Sequence, residues 1–352
     1  MIKVSHKSLD HYKSCIWSPD GSCLLSNAST NFVESMDLFF YDDAFLTKYS
    51  DLKVKRRWKL SGSCYDYCFY PYMNSSDQSS CCFITAIKDN PVQLWDIVSG
   101  RLRASYLAPD HVEVIRAPNS IAFSLDGNKI FCGYTNRVNV FQTGIPGSTS
   151  DKIATTSSRK AKDGLKGIVS SISFNPDGSG IFAVGTFSGQ VGLYDERDYS
   201  LLDLKYLKEG ISQIEFSKNG KMIITASRKS NEILVWDLRN TGQILFSLKR
   251  DGYTNQRLKF SLDSLSGDIG ASDINGNFTK FNLLNGEVIK SQKLYDDVCS
   301  SVSFHPFLPL LASTCGERRI SLEDDIELSK KVGEVSIWRE DNERSIIEAT
   351  LL

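Results

Sequence analysis

The chain has 352 residues, of which 41% are hydrophobic and 24% charged, and a formal net charge of −1. These are the proportions of a soluble globular protein, and they exclude a polybasic chain while leaving room for one basic face. No apolar run approaches the length of a bilayer span and the start, MIKVSHKSLDHYK, holds no apolar signal core, so the chain reads as intracellular.

In chain order, residues 1–10 read as a closing strand, and SIIEATLL at 345–352 competes for the same place. Cys15-Ile-Trp-Ser-Pro-Asp-Gly21 then introduces a pattern: an apolar strand, a turn, a second strand (SCLLS) and a closing strand, read here at DLFFYD from Asp37. The pattern returns as YCFYPY at Tyr67, with its turn lengthened to Asp77–Ser80 and VQLWD at Val92. IAFSLDG at Ile121 is followed by NKIFCGY and RVNVF, and ISFNPDG at Ile172 by SGIFAVGT and QVGLYD. Ile214–Asp237 is the most regular copy, with Gly220 supplying the positive φ of its hairpin and Trp236-Asp237 closing the unit. LKFSLDSLSGDIGAS at Leu258 with NFTKFN, and VSFHPFLPLLAST at Val302 with EVSIW, complete the series.

The period is roughly 42 to 54 residues, which matches WD repeats and not helical solenoids. A unit of this kind cannot bury both sheet faces alone, so the copies must stack. The sequence therefore predicts an all-β, seven-bladed WD-repeat β-propeller of four-stranded blades, one domain over 1–352. Its ring must be sealed by a terminal strand, because an open ring leaves unpaired edges.

Several stretches fall outside the pattern. Lys53-Val-Lys-Arg-Arg57 reads either as a basic contact or as a solvated loop or outer strand. Tyr65-Asp-Tyr-Cys-Phe-Tyr-Pro71 is aromatic enough to pack the core or to line a central channel. The basic segment 144–166, in which Ile153–Thr156 suits a short outer strand, and the acidic insertion 317–333 are expected to be mobile. Asp195, Asp237 and Asn282 follow the closing aromatic and can hold the next turn.

No phosphate-binding Gly loop, His-Glu-x-x-His or Gly-x-Ser-x-Gly elbow occurs, so no catalytic residue, cofactor or enzymatic role is assigned. Nine cysteines without framework spacing, and four His without ligand spacing to them, read as free core thiols of a reducing compartment rather than a metal site. The loops carry more. In a WD blade the loop between the second and third strands and the inter-blade loop leave on the same rim. That rim collects Lys88, Asn90, Arg137, Arg228, Lys229 and Arg318-Arg319, with Arg116, Lys166, Lys249-Arg250, Tyr253, Asn255, Gln256 and Arg257 from between blades. Cations for phosphates, with amides and a Tyr for unstacked bases, suit RNA. Ordinary charged turn residues are the competing reading.

SPDGSCLLS, YDYCFYP, NPVQLWDIVSGRLRASY, DGNKIFCGYTNRVNVFQTGIPG, RKSNEILVWDLRNTG, TNQRLKF and SFHPFLPLLAS resemble, in this order, the telomerase Cajal body protein family, and the chain looks like a fungal member. The resemblance runs from Cys15 to about Trp338 and includes words that are not repeat signatures, Asn255-Gln-Arg257 and His305-Pro-x-Leu-Pro-Leu310. It implies a nuclear scaffold that binds small Cajal-body RNA, telomerase RNA or spliceosomal snRNA and aids RNP assembly, localisation or pre-mRNA splicing. It also implies RNP proteins as partners, no membrane, and a monomer outside the RNP. A protein-only scaffold that meets snRNPs without touching RNA is the alternative. Lys88, Asn90, Arg137, Arg228, Lys229, Asn255, Gln256 and Arg257 lie both in family-like words and on the expected rim. The long N-terminal extension of animal members is not matched, so its targeting is not carried over. The Gly-His dipeptide and His-based hydrogen-bond tetrad of ordinary WD repeats are also unmatched, so rigidity is expected from packing and other turns.

Overall fold

The computed structural model describes residues 2–8, 11–29, 31–37, 52–108, 115–157, 164–240, 243–317 and 333–339. Their strands form seven four-stranded antiparallel sheets arranged as a propeller. Within each blade, strands a to d run from the channel outward. Blade one is Tyr12–Trp17, Cys23–Ala28, Phe32–Asp37 and Arg56–Lys59. Blade two is Cys64–Phe69, Cys82–Ile87, Val92–Asp96 and Leu102–Tyr106. The inner strands of blades three to six are Ser120–Phe123, Val169–Phe174, Ile211–Phe216 and Phe260–Leu262. Blade seven takes strands a to c from Cys299–Phe304, Leu310–Cys315 and Gly333–Arg339, and its outer strand from Ile2–Ser8. The N-terminal strand therefore seals the ring, pairing Lys3 with Trp338 and Lys7 with Glu334. The competing segment 345–352 lies outside the described residues.

The second strands explain why the blades need one another. Those of blades one, two and seven are buried at every position, on both faces. A separate apolar cluster fills each gap between adjacent blades; Tyr12, Trp17, Leu24 and Met36 meet Ala312, Val335 and Ile337 where the ring closes, and Ile224, Ile233 and Val235 meet Phe260, Ile269 and Phe281 between blades five and six. Burial at about 25 cal/mol per Å² of apolar area is the main favourable term, and it is distributed around the ring.

The lower rim, where strands a and b turn, is knitted by knobs from the preceding blade. An added Cβ at Gly21 would lie 2.4 Å from the His305 ring, at Gly127 2.5 Å from Tyr70, and at Gly220 2.4 Å from Asn175. These glycines combine a positive φ with a close approach, which no other residue accommodates. His305 accepts from the Phe307 and Leu308 amides through Nδ1, stands 3.1 Å from the Gly21 carbonyl, and is held in its neutral form by burial.

Several expectations are met and some are corrected. The amides of Arg197, Arg239 and Leu284 donate to Asp195, Asp237 and Asn282, so those polar groups do hold the c–d turns. Arg56 and Arg57 of the basic pentamer sit in an outer strand. Eight cysteines are buried and Cys68 is half-buried, and burial pushes the Cys82 thiol up to about 11 and Cys64 to about 12. The outer strand of blade three is Asp151–Ala154, two residues earlier than Ile153–Thr156. The closing strand of blade one is Phe32–Asp37 and not DLFFYD, whose residues 38–42 lie outside the described ones. Glu34 disguised it: this buried carboxylate is tied to Tyr12 Oη at 2.7 Å and to Arg57 at 2.5 Å. The His tetrad is partly replaced, since Trp95 and Trp236 donate to Thr85 and Thr225, and Trp338 donates to Ser313, which Tyr295 Oη also meets at 2.6 Å. Among the described residues no helix is long and apolar enough to cross a membrane.

Candidate nucleic-acid interface

Antiparallel order sends every b–c loop and every inter-blade loop to one end of the channel, here the upper end. The loops are stitched there by backbone: the Arg228 amide donates to Gly210, and that of Lys229 to Thr254. At the centre lies a cavity of about 540 Å³ lined by His11, Lys13, Tyr65, Asp66, Phe187, Arg228, Asn255, Gln256, Arg257 and Lys259, among others. Four of the nine expected contact residues, Arg228, Asn255, Gln256 and Arg257, converge on it. Lys88, Asn90, Arg137, Lys229 and Tyr253 belong to the same upper loops but stand away from the cavity wall.

The chemistry of the cavity is cationic. Arg228 lies flat on the Phe187 ring at 3.6 Å and has no carboxylate partner among the described residues. Its Nε is buried without an acceptor. Burial, with Arg257 nearby, lowers its affinity for its proton. Lys13 reaches the Cys64 carbonyl at 3.4 Å, and Lys259 stands 3.9 Å from Asp66 and 5.7 Å from the Tyr67 ring. A half-buried guanidinium with unmet donors is costly unless something polar meets it.

Arg257 behaves differently. Although it comes from the loop before blade six, its guanidinium crosses the channel and donates to Ser170 O at 2.6 Å and to Tyr65 O and Asn119 O at 3.4 Å, carbonyls of blades four, two and three. Gln256 reaches Gly316 of blade seven at 3.0 Å. Below this bar, a second cavity of about 470 Å³ shares Asp66, Arg257 and Lys259 but is otherwise lined by serines, phenylalanines and Glu215. Burial pushes the Glu215 carboxyl up to about 7, against a hydrogen bond from Gln213 and the charge of Lys259.

The outlying residues are presented rather than packed. Lys88 is exposed, Arg137 stands 5.1 Å from the Tyr134 ring, and Tyr253 is 68% exposed. Lys229 holds φ 51, a left-handed conformation that blades four and six assign to Gly189 and Gly276 at the matching turn. A β-carbon there carries strain of about 1 kcal/mol. Arg250, also expected on the rim, is instead buried, donating to Leu258 and Ser272 carbonyls; Arg318-Arg319 lie outside the described residues. Sequence reasoning missed Lys13, Phe187 and Lys259. Phe187 carried a readable signal, a bulky aromatic in a Ser-Gly turn, whereas Lys13 and Lys259 look like the ordinary polar half of an alternating strand.

Comparison with known proteins adds three findings. The chain is 35% identical over 328 residues to "Telomerase Cajal body protein 1" of Rattus norvegicus, across 90% of this chain and 60% of the relative. It is 35% identical over 318 residues to the Homo sapiens protein of that name, across 87% and 57%. It is also 27% identical over 352 residues to "Guanine nucleotide-binding protein negative regulator 1" of Schizosaccharomyces pombe, across 94% and 86%. The chain thus spans about 60% of the length of the first of these relatives. No protein-family model matches it.

Proposed function

The chain belongs to the telomerase Cajal body protein family, and we propose that it is a nuclear RNA-binding WD-repeat scaffold for small non-coding RNPs, with the upper face as its RNA surface. One observation carries the reading: Arg228, spread on Phe187 with no acidic partner, opens into a mouth that also holds Lys13, Arg257 and Lys259. A cationic mouth suits phosphate, and a rim bearing Lys88, Asn90, Arg137, Lys229, Tyr253 and Asn255 extends it over several nucleotides. The clients proposed are Cajal-body RNA, telomerase RNA or spliceosomal snRNA, with roles in RNP assembly, localisation or splicing. The proposal includes no catalytic step and no cofactor.

Crosslinking in cells, purification under denaturing conditions and sequencing of the attached RNA tests this. Enrichment of snRNA or box-type small RNA is the expected result; recovery of folded protein without attached RNA overturns it. A second reading, a protein-only scaffold, is favoured by the outer walls of blades four to six. Leu202, Leu245 and Ile289, each beside a bulge in its outer strand, are 52%, 47% and 51% exposed. Under that reading, association with snRNPs survives ribonuclease.

A further inference from the structure

The channel is not open from end to end. Arg257 bars it at the level of Asp66 and Lys259, the three residues shared by the upper and lower cavities. Above the bar the space is a blind pocket. Its volume of about 540 Å³ lies within the range of roughly 300–1,000 Å³ that encloses a small organic ligand. Its wall offers two kinds of planar surface, the Tyr65 ring, 38% exposed, and the Arg228 guanidinium backed by Phe187 at 3.6 Å. Its depth offers both donors and an acceptor, the Lys259 ammonium and the Asp66 carboxylate 3.9 Å apart. Asp66 Oδ2 already takes the Ile121 amide at 3.1 Å, which fixes the carboxylate in place. An inorganic anion would use the cations and leave the planar surfaces and Asp66 idle. A duplex presents its bases edge-on and stacked, and cannot enter.

We propose that this pocket takes up one unpaired ribonucleotide, its base lying against Tyr65 and Arg228, and that Arg257 sets the pocket's depth. The inference rests on the RNA reading above and narrows it, from a charged face that follows a backbone to a socket that inspects a base. Aromatic and guanidinium planes stack any base, and edge groups fixed below them discriminate. Arg257 is a positioning residue here: its guanidinium is spent on the Ser170, Tyr65 and Asn119 carbonyls. It holds the inner strands of blades two, three and four at a fixed distance from blade six, and so holds Asp66 at its station.

The test is equilibrium binding of the full chain to the four ribonucleoside 5′-monophosphates, with inorganic phosphate as competitor. At least one mononucleotide is expected to bind with unequal preference among the four, and phosphate is expected to compete poorly. Arg228→Ala is expected to weaken binding about tenfold, the scale of one lost stacking partner. Arg257→Lys, which keeps the charge but cannot reach three carbonyls, is expected to bind the four nucleotides more evenly while binding phosphate as before. Equal competition by phosphate, or indifference to Arg228→Ala in a folded protein, overturns the pocket. If mononucleotides fail while the chain still crosslinks to RNA in cells, the pocket falls and the RNA face stands; if neither binds, both fall.

Discussion

The upper mouth and the lower cavity are two ends of one channel, walled by the same inner strands and sharing Asp66, Arg257 and Lys259. The upper end gathers cations that strands a could not supply alone: Arg228 and the Asn255–Arg257 run arrive from loops. The lower end shows what the strands give by themselves, Ser170, Ser171 and Ser173 beside Phe174, and one carboxyl, Glu215, driven toward neutrality. Its turns carry Asp20, Asp126 and Asp177, each engaged with neighbouring hydroxyls or amides, which hold their carboxyls low despite partial burial. The repeat therefore builds the ring, and the loops on one side of it build the site. A net charge of −1 conceals this because the two ends offset each other.

That polarity can be broken directly. The pair Arg228→Glu and Lys229→Glu is expected to lower affinity for single-stranded RNA about a hundredfold near 0.1 M salt. The slope of log affinity against log salt should also fall by about 1.4, two lost phosphate contacts. Lys221→Glu with Arg101→Glu, on the lower rim, serves as the mirror experiment; an equal loss there would show that the charge is diffuse and the upper face not special. Fluorescence anisotropy at several salt concentrations reads both.

The lower end is expected to answer to pH instead. Glu215 titrates near 7 when folded and near the ordinary carboxylate value when unfolded, so folding opposes its ionisation. Its cost is absent below the unfolded value, grows as pH rises, and is complete above about 7. Glu215→Gln should then stabilise the ring by on the order of 2–3 kcal/mol at pH 8 and by nothing near pH 4, measured by denaturant titration at both. Stabilisation that does not change with pH would mean that the carboxyl is solvated.

Arg257, on the boundary, should reveal a structural cost. Arg257→Lys is expected to lose about 2 kcal/mol of stability through unmet carbonyls, an effect that Arg228→Lys, with no carbonyl to lose, should not reproduce. The smallest expected effect is at Lys229. Replacing it with Gly should relieve its left-handed strain and stabilise the fold by about 1 kcal/mol while weakening RNA binding. A variant that is more stable and binds RNA equally well would remove Lys229 from the interface.

Most of the fold was legible because the repeat states it seven times. One copy such as Ile214–Asp237 is readable by alternation alone, and its neighbours confirm the period. Reading failed where one polar residue had a private reason to be buried. Glu34, bonded to Tyr12 and Arg57, made Phe32–Asp37 look unlike a strand. Arg250 looked like a rim cation and is a buried tie to Leu258 and Ser272. In both cases the partner lies in another strand, beyond any local pattern.

The sequence by itself determined the class, the number of blades and the side from which the basic loops leave, since these follow from period, alternation and antiparallel order. Only the tertiary structure decided that Ile2–Ser8 closes the ring, because two termini offered similar strands and pairing with Gly333–Arg339 is a long-range choice. It alone placed Phe187 beneath Arg228, and it turned Arg257 inward to bridge three blades. Such contacts join residues far apart in the chain, whose distance depends on the diameter of the closed ring, and no stretch of sequence encodes that diameter locally.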